Sequence, residues 1–316
     1  MRSAFQVLTF FLLLSTMGRG CMATIETSGD PLAIHGSRKV VGFDAVSEIV
    51  PNSLVRLRRY DVKGRQLSSQ DIRTRGQFLG FDQVGDPVFW RTGNLQSYDG
   101  KGWKVFRSGI DYDSAFELAV NDGTVIRIAE NGRWDIYPPG ADHFSFSTSL
   151  SAGYAPTANH EGIYVVDSRD KYLKVAYASP TQPLANEDRY VRTQAGTPIK
   201  PMRLSSVTYS YGNGNLITFA SLKGLKKQEY SHVPSLNFPE RTRTLADNKV
   251  ISFCIVSIDT LQNRAKVVGI VRLPRNEDGC TMTFPPHRNG LAARGDGSVA
   301  VWINNSLQFI SKERAN

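Results

Sequence analysis

The sequence predicts an all-β protein assembled from repeated antiparallel units of about four strands each. Three observations lead there. One turn grammar recurs along the chain, glycine with Asp, Asn or His beside it and strand-like alternation on either side. The turn glycines are evenly spaced over more than a hundred residues. No stretch has the i, i+3, i+4, i+7 apolar spacing of a long amphipathic helix, and self-similarity at such a period marks a repeat architecture.

Taken in chain order, the first element is not part of the repeat. Arg2 precedes the apolar run Val7-Leu8-Thr9-Phe10-Phe11-Leu12-Leu13-Leu14, too short to span a bilayer, and small residues follow. Residues 1–20 therefore read as a signal peptide, 21–36 as a tether and 37–316 as a single domain. Two processing readings stay open. A signal peptidase can cut after Cys21-Met22-Ala23, or lipoprotein processing can leave Cys21 as a lipid-bearing N-terminus. Gly20 before Cys21 suits a lipobox, while Gly18 and Arg19 depart from it.

The first unit is degenerate, with strands at 47–50, 54–60 and 66–72. Five hairpins with the shared grammar follow. They turn at Gly85 within Gln83-Val84-Gly85-Asp86, at Asp122-Gly123, at Gly162 after Asn159-His160-Glu161, at Gly212-Asn213-Gly214 and at Gly295-Asp296-Gly297. Asp-Gly and Asn-Gly tolerate the positive φ angles that a two-residue reversal demands. Further turns extend these hairpins into meanders, as at Asn131-Gly132 before Arg133-Trp134-Asp135-Ile136-Tyr137, and at Asn304-Asn305 before Ser306-Leu307-Gln308-Phe309-Ile310.

Thirty-eight residues separate Gly85 from Gly123, 39 separate Gly123 from Gly162, 52 separate Gly162 from Gly214 and 83 separate Gly214 from Gly297. The last interval is about twice the others, and 251–256 paired with 266–273 is expected to fill it with a variant unit. The count becomes seven, with six and eight left open. In the final unit, Lys39-Val40-Val41-Gly42-Phe43 is expected to add the missing strand and close the set without an exposed edge. Meanders of this period resemble the blades of β-propellers over residues 38–312, a resemblance of architecture and not to a named family. It implies a propeller of about seven four-stranded blades closed by an N-terminal strand. The single Trp134-Asp135 lacks the partners of a Trp-Asp repeat.

The formal charge is +9, or +7 without Arg2 and Arg19, and the positive residues are spread through the chain without a basic arm. Long-range attraction then favours an acidic protein partner, with no nucleic acid expected, a membrane reached only through a lipid anchor, and a monomeric chain. Removing Cys21 leaves Cys254 and Cys280 as an even pair, open either to a disulfide in an oxidising compartment or to two buried thiols.

The histidines at 35, 143, 160, 232 and 287 show no metal-type spacing, and Asp111-Tyr112-Asp113 and Asp167-Ser168-Arg169-Asp170 lack the rest of a calcium loop. There is no nucleophile elbow, phosphate loop or dinucleotide fingerprint, so no cofactor and no catalytic residue is assigned. Two binding candidates remain. One strand face carries Arg56, Arg58 and Tyr60, and the swollen interval holds a polar insertion at 179–201 with Arg189, Tyr190 and Arg192. Loops on a rigid scaffold are where binding residues concentrate. The expected function is an exported, periplasmic or lipid-anchored protein that binds another protein, as an inhibitor, immunity-type or envelope scaffold protein. The alternative is a secreted hydrolase or lyase acting on a carbohydrate or other polymer.

Overall fold

Strand follows strand in a computed structural model of the chain, which describes residues 33–36, 46–50, 55–60, 65–74, 76–111, 115–129, 132–147, 157–158, 162–167, 170–185, 189–202, 207–210, 214–238, 250–274, 291–293, 298–303 and 306–310. The first sheet is β1 (Ala33–Gly36), β2 (Val46–Val50), β3 (Val55–Tyr60) and β4 (Gln66–Ile72), paired in that order. The second is β5 (Gln77–Phe81), β6 (Pro87–Arg91), β7 (Asn94–Tyr98) and β8 (Trp103–Arg107). The third is β9 (Ala115–Asn121), β10 (Thr124–Ala129), β11 (Arg133–Tyr137) and β12 (Phe144–Ser147), joined to the second in one eight-stranded set through the single parallel pairing of β5 with β9. The fourth is β13 (Thr157–Ala158), β14 (Ile163–Asp167), β15 (Lys174–Ser179) and β16 (Gln182–Ala185).

Two short strands, β17 (Arg192–Thr193) and β18 (Lys200–Pro201), lead into the fifth sheet. Its meander runs from β19 (Val207–Ser210) through β20 (Asn215–Ser221), and an excursion with a 3-10 turn at Lys227–Glu229 and strand β21 (Ser235–Asn237) interrupts it. It resumes with β22 (Val250–Asp259) and β23 (Arg264–Pro274), β20 pairing directly with β22. The last sheet is β24 (Leu291–Ala293), β25 (Val299–Ile303) and β26 (Ser306–Ile310).

Strands inside the sheets, such as β10, β14, β20 and β22, are buried on both sides, so their sequences read as near-continuous apolar runs, with alternate residues serving different neighbours. Val88 packs between the second and third sheets while Phe89 packs between the first and second. Val125 and Ile126 divide in the same way between the second–third and third–fourth seams, and Cys254 and Phe253 between the fourth–fifth and fifth–sixth. Each apolar cluster draws on two successive sheets. The last joins Ala292 and Ala300 of the sixth sheet to Tyr60 of the first. The first strands keep the same company: β5 lies beside β9, β13 beside β19, β19 beside β24, and β24 beside β1. The architecture is a β-propeller.

The turns have the backbone that their residues predict. Asp122 and Gly123 have φ of 47° and 78°, a two-residue reversal with both angles positive, and Thr92-Gly93 repeats it at 48° and 76°.

Two expectations change, one falls outside the described residues and one open alternative is resolved. Among the described residues the strands form five hydrogen-bonded sheets, one of them the eight-stranded set in which β5 pairs with β9, so six meander units are seen, at the low end of the six to eight that the repeat left open. The Gly214 hairpin and the expected variant unit are halves of one sheet, because Leu216 to Ser221 of β20 pair with Ile258 to Phe253 of β22. The long interval is thus one unit carrying a long excursion. The stretch 21–36 is not all tether, since Ala33 to Gly36 pair with Ile49 to Val46. The segment 39–43, expected to close the last unit, lies outside the described residues. Finally, Cys254 is a free thiol, fully buried, donating to the Ala220 carbonyl at 3.3 Å. Burial pushes its pKa up to about 12. Of the two readings, the buried thiol is the one seen at Cys254, while Cys280 and Cys21 lie outside the described residues.

Candidate functional site

The segment 189–201 is not a loose insertion. Val191 and Ile199 are fully buried in the seam between the fourth and fifth sheets. The Val191 amide donates to the Leu173 carbonyl at 2.9 Å, the Leu173 amide to Ile199 at 2.9 Å, and the Ile199 amide to Val191 at 3.0 Å. One more bond, from the Arg192 amide to the Asn263 carbonyl at 3.1 Å, ties it to the β22–β23 turn. Two apolar side chains thus root a polar segment in the core and fix the residues beside them.

Tyr190, next to the buried Val191, pairs with Lys174 at the start of β15. This brings the segment against the 170–173 side of the fourth sheet and builds a ladder of rings and cations. Tyr172 meets Tyr190 edge to face at 5.4 Å, the Lys174 ammonium sits 5.0 Å from the Tyr190 ring centre, and the Lys171 ammonium sits 5.4 Å from that of Tyr172. Contacts of this kind contribute about 0.5–1 kcal/mol each at exposed sites. Asp170 holds the ladder, accepting from Lys174 at 3.0 Å and from the Tyr190 hydroxyl at 3.4 Å. Its hydrogen bond with Lys174 lowers the Asp170 pKa and raises that of the lysine, so both stay charged around neutrality.

Arg189 and Arg192 are exposed beside the ladder, and the Arg192 guanidinium donates to the Gly196 carbonyl at 3.1 Å. Further along the segment, Thr193, Gln194 and Ala195 form one wall of a cleft of about 390 Å³, with Gln228, Glu229 and His232 opposite and Lys266 on β23. This cleft sits where two short strands leave a gap along β23, since β17 pairs with Arg264 and Ala265 and β21 with Ile270 to Arg272. Partial burial pushes the Glu229 pKa up, but hydrogen bonds from Thr193, the Lys226 amide and Thr197 outweigh it and keep the carboxyl below its usual range.

The sequence singled out Arg189, Tyr190 and Arg192, and the structure brings them to one surface. It also adds Lys171, Tyr172 and Lys174, which sequence reasoning missed. Only the tertiary pairing of Tyr190 with Lys174 places them there, although two lysines flanking a tyrosine and a leucine were visible as a basic-aromatic stretch.

The other expected patch is divided. Arg56 lies on β3 opposite Val50 and Asp71, and Arg58 lies opposite Glu48 and Ser69 and is half-buried. Tyr60 packs against the sixth sheet, so it works as a wedge between units. Arg59, on the same strand, reaches the second sheet and pairs with Asp86 at 2.8 Å.

No family model and no curated protein sequence matches the chain. Among solved structures it is similar to TolB from Acinetobacter baumannii, with 11% identity and a TM-score of 0.38 over 83% of this chain and 61% of that one. It is also similar to BamB from Moraxella catarrhalis, with 10% identity and a TM-score of 0.31 over 87% and 80% of the two chains. With the N-terminal domain of Nup159 it shares 7% identity and a TM-score of 0.34, over 89% and 90%. The chain spans less than two thirds of the TolB structure, and at these scores none of the three bears on what it binds.

Among the described residues, no three His, Cys, Asp or Glu side chains gather as a metal site would require. What the seam presents is two tyrosines packed edge to face, with four cations and the Asp170 carboxylate beside them.

Proposed function

We propose that this protein is an exported propeller that binds an acidic protein partner through the seam between its fourth and fifth sheets. The observation that carries the reading is the ladder of Lys171, Tyr172, Lys174 and Tyr190, flanked by Arg189 and Arg192 and rooted by Val191 and Ile199. Tyrosine and arginine are the residues that dominate protein interfaces, because they add contact area and directed donors with little loss of side-chain freedom. A net charge of +7 once Arg2 and Arg19 leave with the leader (+9 − 2) draws an acidic surface toward such a patch and speeds encounter. The proposal includes residues 1–20 as a leader and Cys21 as the site of processing or lipid attachment, which places the protein in the periplasm or cell envelope.

It also includes closure of the six units into a ring, supported by the contact of β24 with β1 and by Tyr60 between Ala292 and Ala300. A closed ring holds the seam rigid while the partner docks.

The test is affinity capture from envelope extracts with the wild-type protein and with Tyr190→Ala. A stoichiometric partner is expected with the wild type, its affinity falling about tenfold or more in the variant, in the range of an aromatic hot spot, and weakening as salt is raised. A partner retained equally by Tyr190→Ala and by Lys171→Glu overturns the seam as the docking surface. Intact mass and membrane fractionation of the protein made with its leader test the rest.

A further inference from the structure

The outer strand of the second sheet, β8, ends the order β5-β6-β7-β8, and among the described residues nothing pairs with its outer edge. Its backbone direction follows from the hairpin that begins it. The Asp99 amide donates to the Gly102 carbonyl at 3.2 Å, which makes Asp99 and Gly102 a hydrogen-bonded pair across a two-residue turn. In an antiparallel ladder such pairs alternate with pairs whose N–H and C=O point away from the partner strand. Tyr98 lies opposite Trp103, Ser97 opposite Lys104 and Gln96 opposite Val105. The amides and carbonyls of Trp103 and Val105 therefore point outward.

The side chains at this edge combine charge with one exposed apolar residue. Val105 is 66% exposed, and the charges beside it, which discourage pairing with a like-charged strand, leave the edge open to one of opposite charge. Around it stand Arg91, whose guanidinium lies 4.7 Å from the Trp103 ring centre, Lys101, Lys104 and Arg107. Asp99 pairs with Lys104. The register shifts between Leu95 and Gln96, and beyond the shift Arg107 turns toward the third sheet, where it lies 5.2 Å from the Tyr137 ring centre and donates to the Pro138 carbonyl at 3.0 Å. There it borders a groove of about 740 Å³ whose other lining includes Phe106, Gly123, Pro139 and Asp142.

We propose that β8 takes up an extended acidic segment of a partner protein as an added strand, its carboxylates meeting Lys104 and Arg107 and its apolar side chains covering Val105. Main-chain bonds to Trp103 and Val105 supply the attachment, and alternate side chains supply the selectivity, as in other strand-addition complexes. The four cations at this edge outnumber the carboxylates of Asp99 and Asp142, and on a basic chain this favours such a segment over a second copy of the protein. This surface is separate from the seam of the fourth and fifth sheets, and neither proposal depends on the other.

The probe is the capped heptapeptide Glu-Val-Glu-Val-Glu-Val-Glu, with Lys-Val-Lys-Val-Lys-Val-Lys as its counterpart, titrated calorimetrically into the full chain. The acidic peptide is expected to bind, to weaken as salt rises and to slow hydrogen exchange at the Trp103 and Val105 amides. The basic peptide is expected not to bind. Val105→Pro removes one outward amide and is expected to weaken binding at least tenfold. Val105→Thr keeps the backbone and is expected to retain binding. Tyr190→Ala is expected to bind the peptide like the wild type. No binding at millimolar peptide, wild-type affinity in a folded Val105→Pro, or binding without protection of the two amides overturns the proposal. So does sedimentation showing a dimer that Val105→Pro dissociates, which assigns the edge to a second copy.

Discussion

Asp86 shows how one carboxyl ties two sheets together at a cost that depends on pH. It accepts from Arg59 of the first sheet, yet burial, with the nearby charge of Asp82, pushes its pKa up to about 6 despite that arginine. Between about pH 4 and 6 the folded protein therefore holds a proton that the unfolded chain has released. This group's contribution to stability is greatest below that window and falls as pH rises through it, the opposite of a carboxylate with a depressed pKa. The carboxyl is partly solvated, so the loss should be about 1 kcal/mol once screening is allowed for. Urea unfolding of the wild type and Asp86→Asn at pH 4.5 and 7.5 checks it. The asparagine variant should lack this portion of the pH slope, whatever it loses by releasing Arg59.

At the scale of elements, the joint between β5 and β9 rests on one residue without a side chain. Gly80 pairs with Val120 across the second and third sheets with φ of 145°, and a Cβ built there would lie 1.7 Å from the Val120 carbonyl oxygen. Gly80→Ala should cost about 3 kcal/mol, because a backbone atom cannot swing aside as a side-chain tip can. A fall in the urea midpoint, with faster exchange in β5 and β9 ahead of the remaining sheets, would be the mark of it.

Much of this was legible beforehand and some was not, for physical reasons. The turns at Gly85 and Asp122-Gly123 announce themselves, since positive φ restricts the residues allowed, and the strands between them alternate as their pairing requires. The choice of partner strand carries no such local mark. Nothing within 214–221 or 250–259 says that β20 pairs with β22, so the long interval read as two units. Tyr190 was visible as an aromatic between arginines, but its ladder was not, because Tyr172 and Lys174 reach it only through the folded pairing of the 189–201 segment with the fourth sheet.

For the whole molecule, the joints between sheets are unequal. Most are packed with large side chains, such as Phe78, Phe81 and Phe89 between the first and second sheets and Ile217, Phe219 and Phe253 between the fifth and sixth. The joint of the sixth sheet with the first is built on Ala292 and Ala300, with Tyr60, Leu307 and Phe309 against them. Ala300 is fully buried, so Ala300→Glu places a carboxylate in a cluster of Ala292, Leu307, Tyr60 and Phe309. A loss of about 3 kcal/mol is expected, with Ala300→Ser costing about 1 kcal/mol. Thermal unfolding of the two variants should rank them in that order, with β1 and β24 losing exchange protection first. If the ring closes as proposed, with β24 against β1 and Ala300 of β25 against Tyr60 of β3, no sheet is a preferred start. A circular permutant joined from β26 to β1 by a flexible linker and opened instead at the exposed Thr92-Gly93 reversal would keep each of the seams. Which blade is translated first is then a matter of ancestry and of folding order, while the finished assembly is indifferent to it.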